Sequence, residues 1–172
     1  MPFRLQLSDP GDYEEMAGIF NYYVEHTFAT YTETPVTPDR FEGLMSFCQG
    51  YPAFTARTGD GEMAGFGLLR PYSPIQAFGS TAELTCFIHP EFTGMGVGTA
   101  ILAELESGAC SMGISSILAT ISSLNEGSLA FHRACGFSEC GRLPGVGLKR
   151  LVPFDIVFMQ KQIQCPSPPG ND

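Results

Sequence analysis

A chain of 172 residues with 44% hydrophobic content has the size and composition of one compact domain with a substantial core. Its net charge of -9, with Lys149 and Lys161 as the only lysines, argues against a nucleic-acid partner or an anionic membrane surface. No apolar run approaches a membrane span, and residues 1–4 lack the start of a secretory signal, so a cytoplasmic location is expected.

In chain order, residues 4–7 alternate as a short strand, followed by turn residues Ser8-Asp9-Pro10-Gly11. From Asp12, Met16, Ile19, Phe20 and Tyr23 recur at the spacing of one helix face. Residues 27–34 form a polar and aromatic loop containing Phe28 and Tyr31. Thr37-Pro38-Asp39 opens a second helix, in which Phe41, Leu44, Met45 and Cys48 repeat the buried spacing. Residues 54–58 and 63–70 read as a hairpin around Gly59-Asp60-Gly61, and residues 71–80 as a loop. A strand at 81–89 follows, then a glycine-rich run, then a helix carrying Ile101, Leu102, Leu105, Ala109 and Met112, with Gly113 as its C-cap. Residues 116–121 are a strand, 125–135 a helix closed by Gly136, and 137–143 and 152–160 the last strands. The Pro-rich end from Cys165 onward is expected to be disordered, giving one domain over 1–163 and a tail over 164–172.

The six cysteines (48, 86, 110, 135, 140 and 165) are scattered, without a C-x-x-C pair or zinc-type spacing. Buried reduced thiols are expected, and no metal.

The run Thr93-Gly94-Met95-Gly96-Val97-Gly98-Thr99 lies between the strand at 81–89 and the next helix. Glycines at every second position let backbone amides converge on an anion, and a helix N-terminus adds partial positive charge. A nucleotide-triphosphate loop needs a lysine after its glycines, and Gly98-Thr99-Ala100 has none. The dinucleotide pattern fails because the third glycine falls one residue early.

This run, with Thr93 where an arginine or glutamine is usual, resembles the pyrophosphate-binding motif of the GNAT superfamily of N-acetyltransferases. Further segments resemble its phosphinothricin acetyltransferase-like subfamily: Phe28-Ala29-Thr30-Tyr31, Glu83-Leu84-Thr85-Cys86-Phe87-Ile88-His89-Pro90, Asn125-Glu126-Gly127-Ser128-Leu129-Ala130-Phe131-His132 and Asp155-Ile156-Val157-Phe158-Met159-Gln160. The resemblance runs collinearly over residues 4–160. It implies an α/β GNAT fold: a mixed, mostly antiparallel central sheet flanked by helices, with acyl-CoA in the splay between central strands. It implies direct acetyl transfer from acetyl-CoA to the amine of a small molecule, and a homodimer.

In that chemistry the amine must lose a proton, which calls for a general base. The resemblance places it at Glu83, and strand alternation independently sets Glu83, Thr85, Phe87 and His89 on one face. The alternative is a carboxylate paired in a polar network at the strand end. The backbone of Cys86, Phe87 and Ile88 would stabilise the oxyanion and pair with the pantetheine, while residues 94–99 hold the pyrophosphate. Asn125 is at once an N-cap and the implied CoA contact. His132 falls where a thiolate-protonating residue is usual, or serves as a structural hydrogen-bonding group.

The acceptor half departs from the subfamily. Its loop arginines are replaced by Ser73-Pro74-Ile75-Gln76-Ala77-Phe78-Gly79, and Pro153 stands in place of a tryptophan. Phe28, Tyr31, Tyr72, Phe78 and Thr85 are candidates for the acceptor pocket, and Lys149 for binding an acceptor carboxylate or standing solvated in a loop, with Arg70 and Arg150 as similar candidates. Two further readings stay open: acetylation of a peptide or protein N-terminus, and an acyl-CoA-binding module without turnover.

Overall fold

The computed structural model describes residues 3–165. Among the described residues, seven strands form one sheet in the order β1-β2-β3-β4-β5-β7-β6. They are β1 (Arg4–Leu7), β2 (Ala53–Arg57), β3 (Met63–Pro71), β4 (Thr81–Ile88), β5 (Ser116–Ser122), β6 (Ser138–Lys149) and β7 (Val152–Gln162). Only β4 and β5 are parallel; every other pairing is antiparallel.

Helices cover both faces. On one, α1 (Tyr13–His26) and α2 (Pro38–Ser46) bury Met16, Ile19, Phe41 and Met45 against Met63, Phe66 and Leu68. On the other, α3 (Val97–Ser111) buries Ile101, Leu102 and Leu105 against Leu69, Ala82 and Ile117. Gly67 permits this approach, since a Cβ there would lie 2.5 Å from Ile101 Cγ2. α4 (Glu126–Ala134) adds Leu129 to the same core. Leu44 does not join the first layer: it is 45% exposed, because α2 turns only Phe41 and Met45 inward.

Two features went beyond the sequence signals. β6 extends through Lys149, past the predicted end at residue 143, across register shifts that interrupt its pairing with β7. A two-residue turn at Arg150 (φ 50) and Leu151 (φ 63) joins the two strands. Positive φ at both positions is the hairpin geometry usually given to Asn-Gly, so no glycine signal marked it. The Arg150 side chain compensates by donating to the carbonyls of Val24 and Glu25 at the C-terminal end of α1.

The cysteine expectation is corrected. Cys110 and Cys165 form a disulfide, with Cα atoms 5.2 Å apart, because β7 runs back beside β5 and brings residue 165 to the end of α3. Cys48 is buried and free, Cys86 and Cys135 are part-buried, and Cys140 is exposed. Of the tail expected to be disordered, Gln164 and Cys165 are placed, and residues 166–172 lie outside the described range.

Candidate active site

β4 pairs with β3 from Ala82 to Ile88, but its pairing with β5 ends at Glu83 opposite Leu118. β5 continues to Ser122 in register with β7 instead. From Leu84 onward the edge of β4 that faces β5 therefore lacks a strand partner. Backbone amides and carbonyls so exposed are ready to pair with an extended ligand. Beside this edge lies a cleft of about 960 Å³, lined by β4, β5, the glycine loop, the start of α4 and residues 29–32.

The glycine loop closes one end of the cleft. Gly94 (φ 75) and Gly96 (φ 83) adopt left-handed backbone, and Gly96 is the N-cap of α3. The first-turn amides of α3 have no intrahelical partner, so the loop and helix start have the geometry of an anion cradle. Gly98, with Phe131 only 3.1 Å from where its Cβ would lie, lets α4 approach α3. Gly94, Gly96, Val97, Gly98 and Thr99 line the cleft. Met95 does not; it is exposed, and its contribution is confined to the backbone. The Thr93 hydroxyl donates to the Pro90 carbonyl at 2.9 Å, turning back onto the loop. These features fit a diphosphate at the loop and an extended pantetheine arm along β4.

Glu83 lines the cleft where the splay begins, and its carboxylate forms an ion pair with Arg70, its cross-strand partner on β3. Thr85, Cys86, Phe87 and Ile88 continue the wall. Desolvation pushes the Cys86 thiol up to about 12, so it stays protonated at neutral pH and is not a nucleophile. Tyr23 donates to the Ile88 carbonyl at 2.6 Å, and Tyr31 to the Thr120 carbonyl at 3.0 Å. Burial, then the Glu83 charge, push Tyr31 up to about 12, so both its proton and this bond persist at neutral pH. Its ring stacks on Phe154 at 5.9 Å.

Asn125 lines the cleft and caps α4, its Oδ1 accepting from the Ser128 amide at 3.2 Å. His132, only 6% exposed, bonds through Nδ1 to the Ser128 carbonyl at 2.8 Å. A carbonyl only accepts, so Nδ1 carries the proton. Burial holds the ring below its ordinary value of 6.5, so it is neutral at pH 7 and Nε2 has no proton to give.

Several acceptor candidates lie elsewhere. Lys149 is fully buried, and its ammonium donates to the Thr27 carbonyl (2.8 Å), the Thr30 carbonyl (3.0 Å) and the Thr30 hydroxyl (3.2 Å). It is neither a carboxylate ligand nor a solvated loop residue: it ties down the loop that carries Tyr31. Tyr72 and Phe78 pack edge to face at 5.5 Å and, with Phe28, lie outside the cleft lining. The sequence reading passes over Phe20, Tyr23 and Arg40 as wall residues of the cleft; Arg70, a candidate there, lines it, and Arg150 does not. Antiparallel register sets Arg70 opposite Glu83.

A model of the GNAT acetyltransferase family matches residues 16–137. The L-methionine sulfoximine/L-methionine sulfone acetyltransferase of Pseudomonas aeruginosa is 31% identical over 151 residues, covering 87% of this chain and 88% of that protein. A phosphinothricin acetyltransferase from Sinorhizobium meliloti, solved in complex with AcCoA, superposes with a TM-score of 0.89 at 28% identity, covering 95% of this chain and 89% of that one. A ribosomal-protein-alanine N-acetyltransferase from Brucella melitensis superposes with a TM-score of 0.86 at 30% identity, covering 93% and 99%. With the splayed β4–β5 pair and the glycine cradle in place, the chain belongs to the GNAT family of acetyltransferases.

Proposed function

We propose that this chain transfers the acetyl group of acetyl-CoA directly to the amine of a small-molecule acceptor, an amino acid or amino-acid analogue. The observation that carries the reading is the Glu83 carboxylate at the point where β4 parts from β5 and the cleft opens. Glu83 takes a proton from the acceptor ammonium, and the freed amine attacks the thioester carbonyl carbon. The C–N bond forms and negative charge gathers on the carbonyl oxygen, beside the unpaired amides of β4. Collapse breaks the C–S bond, and the second nitrogen proton passes to the departing thiolate.

His132 supplies no proton in this scheme, since its one N–H is held by Ser128. It fixes the first turns of α4, where Asn125 meets the CoA arm. The Gly94–Gly98 cradle holds the pyrophosphate. A cytoplasmic location and a homodimer belong to the same reading. Exposed Leu143, Val146 and Leu148 on β6 supply apolar surface for a second copy, which light scattering would register as a doubled mass. The name of the Brucella relative favours a peptide N-terminus as the second reading.

A thiol-release assay over free amino acids, small amines and peptides tests the acceptor. Release with small amino acids or their analogues is expected. Release with peptides alone contradicts the small-molecule reading, and no release with any amine contradicts acetyl transfer.

A further inference from the structure

Among the described residues, the charged groups lining the cleft are one carboxylate, Glu83, and two guanidinium groups, Arg70 and Arg40. Other nearby cations are committed elsewhere. Lys149 is buried on Thr27 and Thr30, and Arg150 is bonded to the end of α1. The 73–79 loop contains no basic residue at all. An anionic group on the acceptor therefore has Arg70 and Arg40 to meet.

Geometry separates these two. Arg70 and Glu83 are opposite one another in the β3–β4 register, and their side chains form an ion pair in which Arg70 Nη2 meets Glu83 Oε2. The Arg70 side chain is 50% exposed, and a guanidinium has five N–H donors, so most remain for a second anion. The Glu83 side chain is 19% exposed and lines the cleft. In an α-amino acid the carboxylate and the ammonium sit on one carbon. Its carboxylate must therefore lie beside whatever group receives its amine. Arg70 touches Glu83, whereas Arg40 stands on α2.

Laid against the wall, the pair presents a positive and a negative charge side by side. The head of a free α-amino acid presents the opposite order. We infer that the Arg70–Glu83 pair is a two-point recognition element for a free α-amino acid, with Arg70 seating the α-carboxylate while Glu83 receives the α-ammonium. Arg70 is thus the specificity-determining residue of the acceptor half. An amide, an ester, a decarboxylated amine and a peptide N-terminus lack the anion it requires. This rests on Glu83 being the base of the transfer proposed above.

The test compares kcat/KM for L-methionine sulfone and for its carboxamide in the wild type, Arg70→Gln and Arg70→Lys. Loss of a charge-assisted contact predicts an acid-to-amide ratio of about 10 to 100 in the wild type. In Arg70→Gln that ratio falls towards unity, chiefly through KM for the acid, and Arg70→Lys recovers part of it. Both substrates are measured on one preparation, so partial unfolding cancels in the ratio. An unchanged ratio in Arg70→Gln, or a wild type that acetylates amines without favouring the acid, overturns the inference and leaves acetyl transfer standing. Absence of thiol release with every amine overturns both, a distinct result in the same assay.

Discussion

The two halves of the cleft are built from different materials. The half proposed for the donor is made of backbone: the left-handed Gly94 and Gly96, the first-turn amides of α3 and the unpaired edge of β4. The half proposed for the acceptor is made of side chains: the Arg70–Glu83 pair, Tyr31 on a loop fastened by Lys149, and aromatic residues from α1. A backbone site demands residue types, such as glycine, that mark the sequence. A side-chain site demands only that distant residues converge, and it is free to change without altering the frame.

Substitutions in each half should therefore fail differently. Glu83→Gln is expected to have the largest effect, lowering kcat by about 100- to 10,000-fold while acetyl-CoA affinity stays near the parent value. A variant with parental turnover in steady-state assays removes Glu83 from the reaction. Lys149→Met leaves the Thr27 and Thr30 carbonyls without their donor and is expected to cost about 2 kcal/mol in denaturant unfolding. Acceptor KM should rise more than acetyl-CoA KM, because the loop it fastens carries Tyr31. Equal changes in both would place the loop outside the acceptor half.

Gly96→Ala isolates backbone from space, since nothing lies within 4 Å of the added Cβ while φ is 83. The left-handed penalty of about 1–2 kcal/mol should weaken acetyl-CoA binding about ten-fold. Unchanged affinity by calorimetry would show that the cradle does not need this conformation. Thr93→Arg has the smallest expected effect: affinity for acetyl-CoA rises about three-fold at low salt and the gain fades as salt is added, as for an exposed charge contact.

His132 adds a pH signature with a definite sign. Burial holds its folded pKa below the ordinary 6.5, so the unfolded chain binds the proton first as pH falls. Its contribution is present above 6.5 and is lost as the medium becomes more acidic. His132→Gln should flatten the stability–pH curve in that range; an unchanged slope would mean that the ring is not held neutral.

The same contrast explains what was legible in the sequence. The helix faces of α1 and α3, the β2–β3 hairpin and the glycine cradle are local patterns, and each was read from neighbouring residues. The splay was not visible as a pattern, because it arises where pairing stops rather than from any residue type. Lys149 misled because its partners lie 119 and 122 residues away, and the Cys110–Cys165 bridge was hidden by a separation of 55. Tyr72 and Phe78 misled in the opposite direction: they lie near the site in sequence but pack on one another outside it.

A calorimetric titration of the wild-type chain with acetyl-CoA tests the account's centre most directly. Saturable one-site binding, weakened in Gly96→Ala and preserved in Glu83→Gln, is the predicted result. Absence of binding at millimolar acetyl-CoA would contradict it, because the cradle and the open edge of β4 would then hold no donor.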